Sequence, residues 1–231
     1  MRRALGPLLA AIALTGCGSS NSSHSVTASH PSATTSTTAA ASGGCRQVAT
    51  PPSKGVPQLK PPSYKLDPRR VYTVTIATNC GAFAFTLDVK QSPKTSASFY
   101  ALVKRGFFDD TIFHRVVPGF VIQGGDPTGA GTGGPGYTVV EPPPRATQYV
   151  FGDVAMARSQ SQPSGASGSQ FFIVTAANAT QSAGLTPTYA LLGKLVSGQH
   201  AVTTIGKLPT NADEMPTPTV VMAKVTVAVS R

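Results

Sequence analysis

The side chains most capable of chemistry fall in one short stretch, FHRVVPGFVIQGGDP, which runs from Phe113 to Pro127. Two apolar runs flank a Pro118-Gly119 turn, yet Arg115 and Gln123 interrupt them. Arginine is almost never buried without a partner. Either both polar side chains point into water, or the chain forms an apolar pocket with hydrogen-bond donors aimed into it.

The elements around this stretch are mostly short strands. Alternating apolar residues and turn signals predict strands over residues 71–78, 82–89, 112–117, 120–124, 153–157, 169–175, 189–196 and 220–229. A helix is predicted to begin at Pro93, with Ser92 as its N-cap, and to end at Gly106. A second short helix is predicted over residues 197–206. This pattern favours a mainly β fold, a closed antiparallel barrel without free edges.

The strand alternation also predicts which side chains share a face. Phe113 is expected on the same face as Arg115, and Val121 on the same face as Gln123. Phe120 has the opposite parity to Gln123. If both line one pocket, Phe120 must leave the turn at an unusual angle.

Composition limits the classes of function. The chain has 231 residues and a net charge of +10, but no Asp or Glu occurs before Asp67, so basic character is concentrated towards the N-terminus. Nucleic-acid binding would need a basic patch with interleaved aromatic residues on the folded part, and we find none in the sequence. We therefore expect no nucleic-acid partner.

The first residues have the layout of an export signal. MRR is followed by an apolar segment, residues 4–14, that is too short to cross a bilayer, which takes about 20 residues. LTGC, residues 14–17, resembles a bacterial lipobox. We expect residues 1–16 to be a lipoprotein signal peptide and Cys17 to carry the lipid, anchoring the exported chain to the outer face of the cell membrane or to a periplasmic membrane face. The alternative is an ordinary cleaved signal with an incidental cysteine.

Two low-complexity segments follow the signal. Residues 17–44 are rich in Ser and Thr, and 18–44 carry no Lys, Arg, Asp or Glu, which predicts a disordered tether. Residues 45–68 form a Pro-rich, extended lead-in to a folded domain, residues 69–231. With Cys17 acylated, Cys45 and Cys80 are left as an even pair, and export permits a disulfide. Two unpaired thiols are the alternative.

Several motifs in the predicted domain resemble one family. They are FHRVVPGFVIQGGD, GTGGPGY (131–137), AMA (155–157), GSQFFIV (168–174) and LLGKL (191–195), in the order of the cyclophilin-type peptidyl-prolyl cis/trans isomerases. The resemblance covers roughly residues 69–231. It implies an eight-stranded antiparallel barrel capped by two helices. It also implies an enzyme that accelerates rotation about X–Pro bonds.

The resemblance assigns roles to the residues at matching positions. Arg115 matches the catalytic arginine, Gln123 the residue that positions it and the substrate, and Phe120 completes the catalytic set. The positions expected to bind substrate are Val121, Ala157, Arg158, Gln170, Phe172, Leu185 and Tyr189. Of these, Val121, Phe172 and Leu185, together with Phe120, match the walls of the proline pocket.

Two positions depart from the family pattern. Arg158-Ser159 replaces a usual Asn-Ala pair, and the loop that follows is longer by roughly three residues, which can alter which substrates fit. Gly184 falls where cyclosporin-sensitive members often carry Trp, so weak cyclosporin binding is expected.

Two other functions remain as alternatives to the isomerase that the resemblance implies. One is a non-catalytic chaperone module that binds Pro-containing segments, and the other, weaker one is a barrel that carries a small apolar ligand. For the enzyme we expect no cofactor and no metal, a monomer, and exported proline-containing polypeptides as partners.

Overall fold

A computed structural model describes residues 44–231 of the chain. The predicted signal peptide, Cys17 and nearly all of the predicted tether lie outside the described residues. Within 44–231, no helix is both long enough and apolar enough to cross a membrane.

Eight strands close into an antiparallel barrel, as the sequence predicts. In order around the barrel they are β1 (Val71–Thr78), β10 (Val220–Ser230), β3 (Thr111–Val117), β4 (Val121–Asp126), β8 (Phe171–Val174), β6 (Asp153–Met156), β9 (Leu191–Ser197) and β2 (Gly81–Leu87). The remaining strands, β5 (Val139–Val140) and β7 (Ala166–Ser167), pair with each other as a small separate sheet. Most predicted strands are within two residues of the observed bounds. Phe120 and Tyr189, however, lie just outside the strands predicted to contain them.

Side chains that alternate along the strands fill the barrel interior. Phe85, Phe113 and Phe171 are fully buried there. They pack edge-on or tilted with Phe99, which comes from the helix over Pro93–Lys104, and the ring centroids of Phe99 and Phe171 are 5.4 Å apart. Aromatic rings therefore occupy interior positions of the barrel, which argues against the small apolar ligand considered above.

Within the described part of the chain three helices accompany the barrel, one more than predicted: α1 (Pro93–Lys104), α2 (Ala179–Ala183) and α3 (Gln199–Ile205). Helix α2 was missed because five residues cannot display an apolar stripe. Its start is capped by Asn178, which accepts from the Gln181 N–H. Ser92 occupies the N-cap position of α1 but makes no side-chain cap bond. Instead, the Glu141 carboxylate accepts from the N–H groups of Lys94 and Thr95.

The lead-in, residues 45–68, contains no strand but is fixed to the domain along its length. A disulfide joins Cys45 to Cys80, the pairing expected from the sequence, at the turn between β1 and β2. Beside it, the Arg46 N–H donates to the Asn79 carbonyl at 2.9 Å. At the other end, Leu66 is buried in the core.

Candidate active site

The strand register places the candidate residues in one row across the sheet. Arg115 on β3 lies opposite Gln123 on β4, Gln123 lies opposite Phe172 on β8, and Phe172 lies opposite Ala155 on β6. Directly opposed residues in antiparallel strands have Cβ atoms about 4.5–5.5 Å apart. A guanidinium, an amide and an aromatic ring are therefore neighbours on the outer face of the barrel.

A bulge in β3 creates this row, and it corrects the expectation that Phe113 and Arg115 share a face. Phe113 pairs with Gly124, but Arg115 pairs with Gln123, so His114 is an extra residue in β3. Such an insertion reverses the side-chain alternation. Phe113 therefore packs in the barrel core, whereas Arg115 lies on the outer face with Gln123.

Two groups hold the guanidinium of Arg115. Its Nε donates to the Glu214 carboxylate at 2.5 Å, and one Nη donates to Gln123 Oε1 at 3.4 Å. About a third of the Arg115 side chain, 34%, is exposed to solvent. Arginine has five N–H groups, so three of them have no partner within residues 44–231 and remain able to donate to a ligand.

Two glutamines link Arg115 to the loop after β4. Gln123 Nε2 donates to Gln170 Oε1 at 3.1 Å. Gln170 Nε2 in turn donates to the carbonyls of Gly131 and Gly133, both at 2.9 Å. The two amides are thereby oriented in one direction, with the oxygen of Gln123 facing Arg115. The amide donor of Gln123, a residue expected to help position the substrate, is therefore already bonded to Gln170.

The expected proline-pocket residues form an apolar cluster separate from the barrel core. Val121, Phe172 and Leu185 are buried in it, and Phe120, Ala157 and Tyr189 pack against it half-buried. The rings of Phe172 and Tyr189 meet edge to face with centroids 5.3 Å apart. We call these six residues the apolar cluster.

Phe120 reaches the cluster because it belongs to the turn. Gly119 before it has φ of +71°, a left-handed conformation that glycine adopts without strain. The Phe120 carbonyl accepts from the N–H groups of Thr175 and Ala176, after the end of β8. This anchoring answers the parity problem: the ring leaves the turn towards the face that Gln123 occupies.

Tyr149 supports the cluster from beneath and was not found from the sequence. It is fully buried; its hydroxyl donates to the Tyr189 carbonyl at 2.6 Å and accepts from the Tyr189 N–H at 3.2 Å. Burial raises the pKa of Tyr149 to about 12. The phenol therefore stays protonated and fixes the backbone of Tyr189. Its irregular surroundings gave no sequence signal.

Two cavities flank the row. One, of about 400 Å³, is lined by Arg115, Gln123, His114 and the loop residues Asp213 and Met215. The other, of about 610 Å³, is lined by Gln123, Gln170, Ala157 and Arg158 among others. Neither Phe120 nor Phe172 lines the cavity beside Arg115; Gln123 is what connects that cavity to the apolar cluster.

Arg158, expected to bind substrate, is mainly engaged within its own loop. Its guanidinium donates to the carbonyls of Ser159 and Gln162, both at 2.8 Å, and to Thr188. Its Cζ lies 5.4 Å from the centroid of the Tyr189 ring. The long 158–168 loop is thus braced by Arg158, whose side chain still lines the larger cavity.

Two buried ionisable groups lie behind the row. Burial lowers the pKa of His114; the negative charge of Asp126 opposes that shift, and the positive charge of Arg115 adds to it. Neither imidazole nitrogen has a hydrogen-bond partner within residues 44–231. Burial alone would raise the pKa of Asp126, but hydrogen bonds from Gly133 and Thr128 outweigh it and lower that pKa. His114 is therefore neutral beside Arg115 at neutral pH.

The acidic partner of Arg115 was also missed. Glu214 follows no motif and lies in an irregular loop between α3 and β10, 99 residues away from Arg115 in the chain. Its backbone has φ of +60°, and its carbonyl accepts from the Val116 N–H at 2.8 Å. This contact with the neighbour of Arg115 brings the Glu214 carboxylate beside the guanidinium.

The fold and the site together define a class of closed eight-stranded antiparallel barrel whose outer face places an arginine and an amide beside an apolar cluster. Comparison with known proteins narrows the class. The family described as "Cyclophilin type peptidyl-prolyl cis-trans isomerase/CLD" matches residues 73–227. The chain belongs to this family.

Individual relatives are also named peptidyl-prolyl cis-trans isomerases. The chain is 32% identical over 178 residues to peptidyl-prolyl cis-trans isomerase A of Mycobacterium tuberculosis, covering 70% of this chain and 94% of the relative. It is 36% identical over 158 residues to peptidyl-prolyl cis-trans isomerase CYP57 of Arabidopsis thaliana, covering 66% of this chain but only 30% of that longer protein. The family domain is therefore what these proteins share.

The fold comparison agrees. A cyclophilin-type isomerase of Cryptosporidium parvum, crystallised in the presence of the dipeptide Ala-Pro, superposes with a TM-score of 0.61 at 34% identity. The match covers 69% of this chain and 99% of that one. The eight-stranded barrel is thereby confirmed as a cyclophilin fold.

Proposed function

We propose that this chain is a peptidyl-prolyl cis/trans isomerase that uses Arg115 as its catalytic hydrogen-bond donor. The observation that carries the proposal is the row Arg115–Gln123–Phe172, because it sets a free guanidinium donor next to an apolar cluster. The C. parvum relative crystallised in the presence of Ala-Pro supports a proline-containing polypeptide as substrate.

The reaction needs a donor that acts on a twisted amide. Resonance gives the peptide bond a rotational barrier of about 18–20 kcal/mol. When the X–Pro bond twists, resonance is lost and the prolyl nitrogen gains a lone pair. A guanidinium N–H can donate to that lone pair in the twisted state but not in the planar one, which is selective stabilisation of the transition state. Arginine stays protonated throughout.

Arg115 cannot supply the whole effect. A hydrogen bond to a charged group contributes about 1.5–3 kcal/mol, whereas a rate gain of about 10⁵ requires about 7 kcal/mol. We assign the remainder to the apolar cluster. It holds the proline ring while the preceding carbonyl rotates, and it removes water from a carbonyl that becomes less polar on twisting.

Exchange spectroscopy on a short Ala-Pro peptide tests the proposal. The wild-type protein should accelerate exchange between the cis and trans forms of the peptide, seen as broadened signals or exchange peaks. Arg115→Ala should lose most of that acceleration. Val196→Ala, on the exposed part of β9, should retain it. Equal, slow exchange with wild type and Arg115→Ala would refute the enzyme. If the peptide still bound to the protein, that result would favour the non-catalytic chaperone module instead of the enzyme.

We further propose that the protein is exported and lipid-anchored through Cys17. The proposal is supported by the signal-like residues 1–16, the lipobox-like LTGC and the Cys45–Cys80 disulfide, since structural disulfides persist in oxidising compartments. Mass spectrometry of the membrane fraction should find a diacylglyceryl-modified Cys17 peptide. A Cys17→Ala chain that fractionates with membranes like wild type would contradict the anchor.

A further inference from the structure

The lead-in lies outside the part of the chain that matches the family, which begins at residue 73, yet one of its side chains lines the groove. Val56, half-exposed at 50%, forms part of the wall of the larger cavity, which also contains Gln123 and Gln170. A segment that precedes the domain therefore contributes to the surface that the candidate active site presents.

The lead-in is held against the loop between β4 and β5, residues 127–138, at two points. The Lys54 N–H donates to the Pro127 carbonyl at 2.9 Å, and the Leu59 N–H donates to the Pro135 carbonyl at 2.9 Å. Both bonds run between backbones, so they do not depend on side-chain rotamers. Val56 lies between them and is fixed in place by its neighbours on either side.

The packing between these contacts is close. A Cβ at Gly136 would lie 2.4 Å from the Pro57 carbonyl oxygen, which only glycine avoids. Lys54 adds a side-chain hydrogen bond from Nζ to the Asp109 carbonyl, and the disulfide at Cys45 fixes the start of the segment. The lead-in is thus docked by backbone contact, a side-chain bond and a covalent link.

The same loop is tied to the catalytic row from its other side. Gln170 donates to the carbonyls of Gly131 and Gly133 and accepts from Gln123, the neighbour of Arg115. The larger cavity thus continues from the catalytic row, and a side chain of the substrate that extends from the proline can enter it.

Val56 adds a branched aliphatic side chain to this cavity. Within residues 44–231 the other lining residues are mainly glycine, hydroxyl, amide and arginine, with further apolar surface from Pro135, Tyr137 and Ala157, and Val56 is the single branched aliphatic side chain among them. None of these described lining residues is a carboxylate. An apolar substrate side chain would bury its surface against Val56, which is favourable because apolar surface leaves water.

We propose that the docked lead-in, residues 54–59, is part of the substrate groove, and that Val56 is a specificity-determining residue that favours an apolar side chain flanking the proline. The inference rests on the proposed isomerase function. It gives the proline-rich segment a role in substrate choice that the family domain alone does not supply.

The test compares Val56→Asp and Val56→Thr with matched changes at Val196, which is 49% exposed on β9 and lines neither of the two cavities that flank the row. The full chain is used with its disulfide intact. The peptides carry Leu, Ala or Asp at each position from one to three residues on either side of an Ala-Pro pair. Both the peptide Kd, by NMR titration, and kcat/KM, by exchange spectroscopy, are measured.

Wild type should prefer Leu to Asp at one flanking position. Val56→Asp should lower that Leu-to-Asp ratio at least about fivefold, and Val56→Thr about two- to threefold, with the all-Ala peptide changed less than about twofold. The Val196 variants should leave the ratio unchanged. Both sites are half-exposed, so equal melting temperatures should show that all variants fold.

Two results are distinguishable. If wild type exchanges the all-Ala peptide but the Val56 variants shift the ratio no more than the Val196 variants, the groove inference is overturned while the isomerase stands. If wild type exchanges no peptide, the proposed function fails, and the Kd ratios alone decide whether Val56 selects the bound side chain.

Discussion

Replacing Glu214 by glutamine tests how the guanidinium of Arg115 is held. The carboxylate accepts from Arg115 Nε at 2.5 Å, while Gln123 accepts from one Nη. Held on both sides, the guanidinium presents its remaining N–H groups in one direction. Glutamine has nearly the shape of glutamate but no charge. Glu214→Gln therefore weakens the ion pair with Arg115 without creating a cavity.

The exposure of the Arg115 and Glu214 side chains sets the size of the effect expected for Glu214→Gln. The two side chains are 34% and 44% exposed, so solvent screens the pair, and exposed ion pairs contribute about 0–1 kcal/mol. If about 1 kcal/mol of orientation is lost in the transition state, kcat falls about fivefold. KM should change little because Glu214 is not part of the apolar cluster. Stability should change by less than about 1 kcal/mol, a shift in Tm of at most about 4 °C.

Exchange spectroscopy at two salt concentrations provides the assay. At 1 M salt the Debye length falls to about 3 Å, so wild-type kcat should move towards that of Glu214→Gln, whose own kcat should stay constant. Asp67→Asn, which removes the carboxylate of the exposed Arg69–Asp67 ion pair and lies outside both cavities, serves as the control and should change kcat less than about twofold. A Glu214→Gln enzyme as fast as wild type, or faster, would show that the carboxylate does not position Arg115 for catalysis.

Three further predictions follow from buried groups. Tyr149→Phe should cost about 1–3 kcal/mol in urea unfolding, because the backbone of Tyr189 loses its partner; an unchanged midpoint would contradict that role. Because the pKa of His114 is lowered on folding, the unfolded chain binds its proton first as pH falls below about 6.5, so stability should decrease there by at most about 1.4 kcal/mol per pH unit. His114→Gln should flatten that slope, and a slope identical to wild type would contradict the assignment. Replacing Cys45 and Cys80 together by alanine, which opens a loop of 35 residues' separation, should cost about 2–4 kcal/mol in thermal unfolding, and an unchanged Tm would count against a stabilising bridge.

The barrel was predictable because its signal is local. Period-two alternation in β1 and β2, and the turn residues between strands, suffice to predict strands and a closed antiparallel sheet. Helix α2 was not predictable by periodicity, since five residues span little more than one turn. The bulge at His114 was equally hidden, because an inserted residue leaves the apolar pattern of β3 almost unchanged.

The site was only partly predictable. Arg115 and Gln123 were identifiable as polar residues in an apolar hairpin, and their motif carried the family resemblance. Glu214 and Tyr149 act through contacts between segments far apart in the chain, so no local pattern marks them. Val56 belongs to a Pro-rich segment whose sequence resembles a linker. Its position beside the cavity depends on the backbone hydrogen bonds that the segment makes to Pro127 and Pro135, which the sequence does not reveal.

The central claim, that a guanidinium donor stabilises the twisted X–Pro bond, is tested most directly by Arg115→Lys. Lysine keeps the positive charge but lacks the planar fork that Glu214 and Gln123 hold in place. Measured on one Ala-Pro peptide, kcat should fall about 10- to 100-fold, the equivalent of losing about 1.5–3 kcal/mol of hydrogen bonding, while the peptide Kd stays within about twofold. An Arg115→Lys enzyme that exchanges the peptide at the wild-type rate, or that loses activity only through weaker binding, would contradict the account.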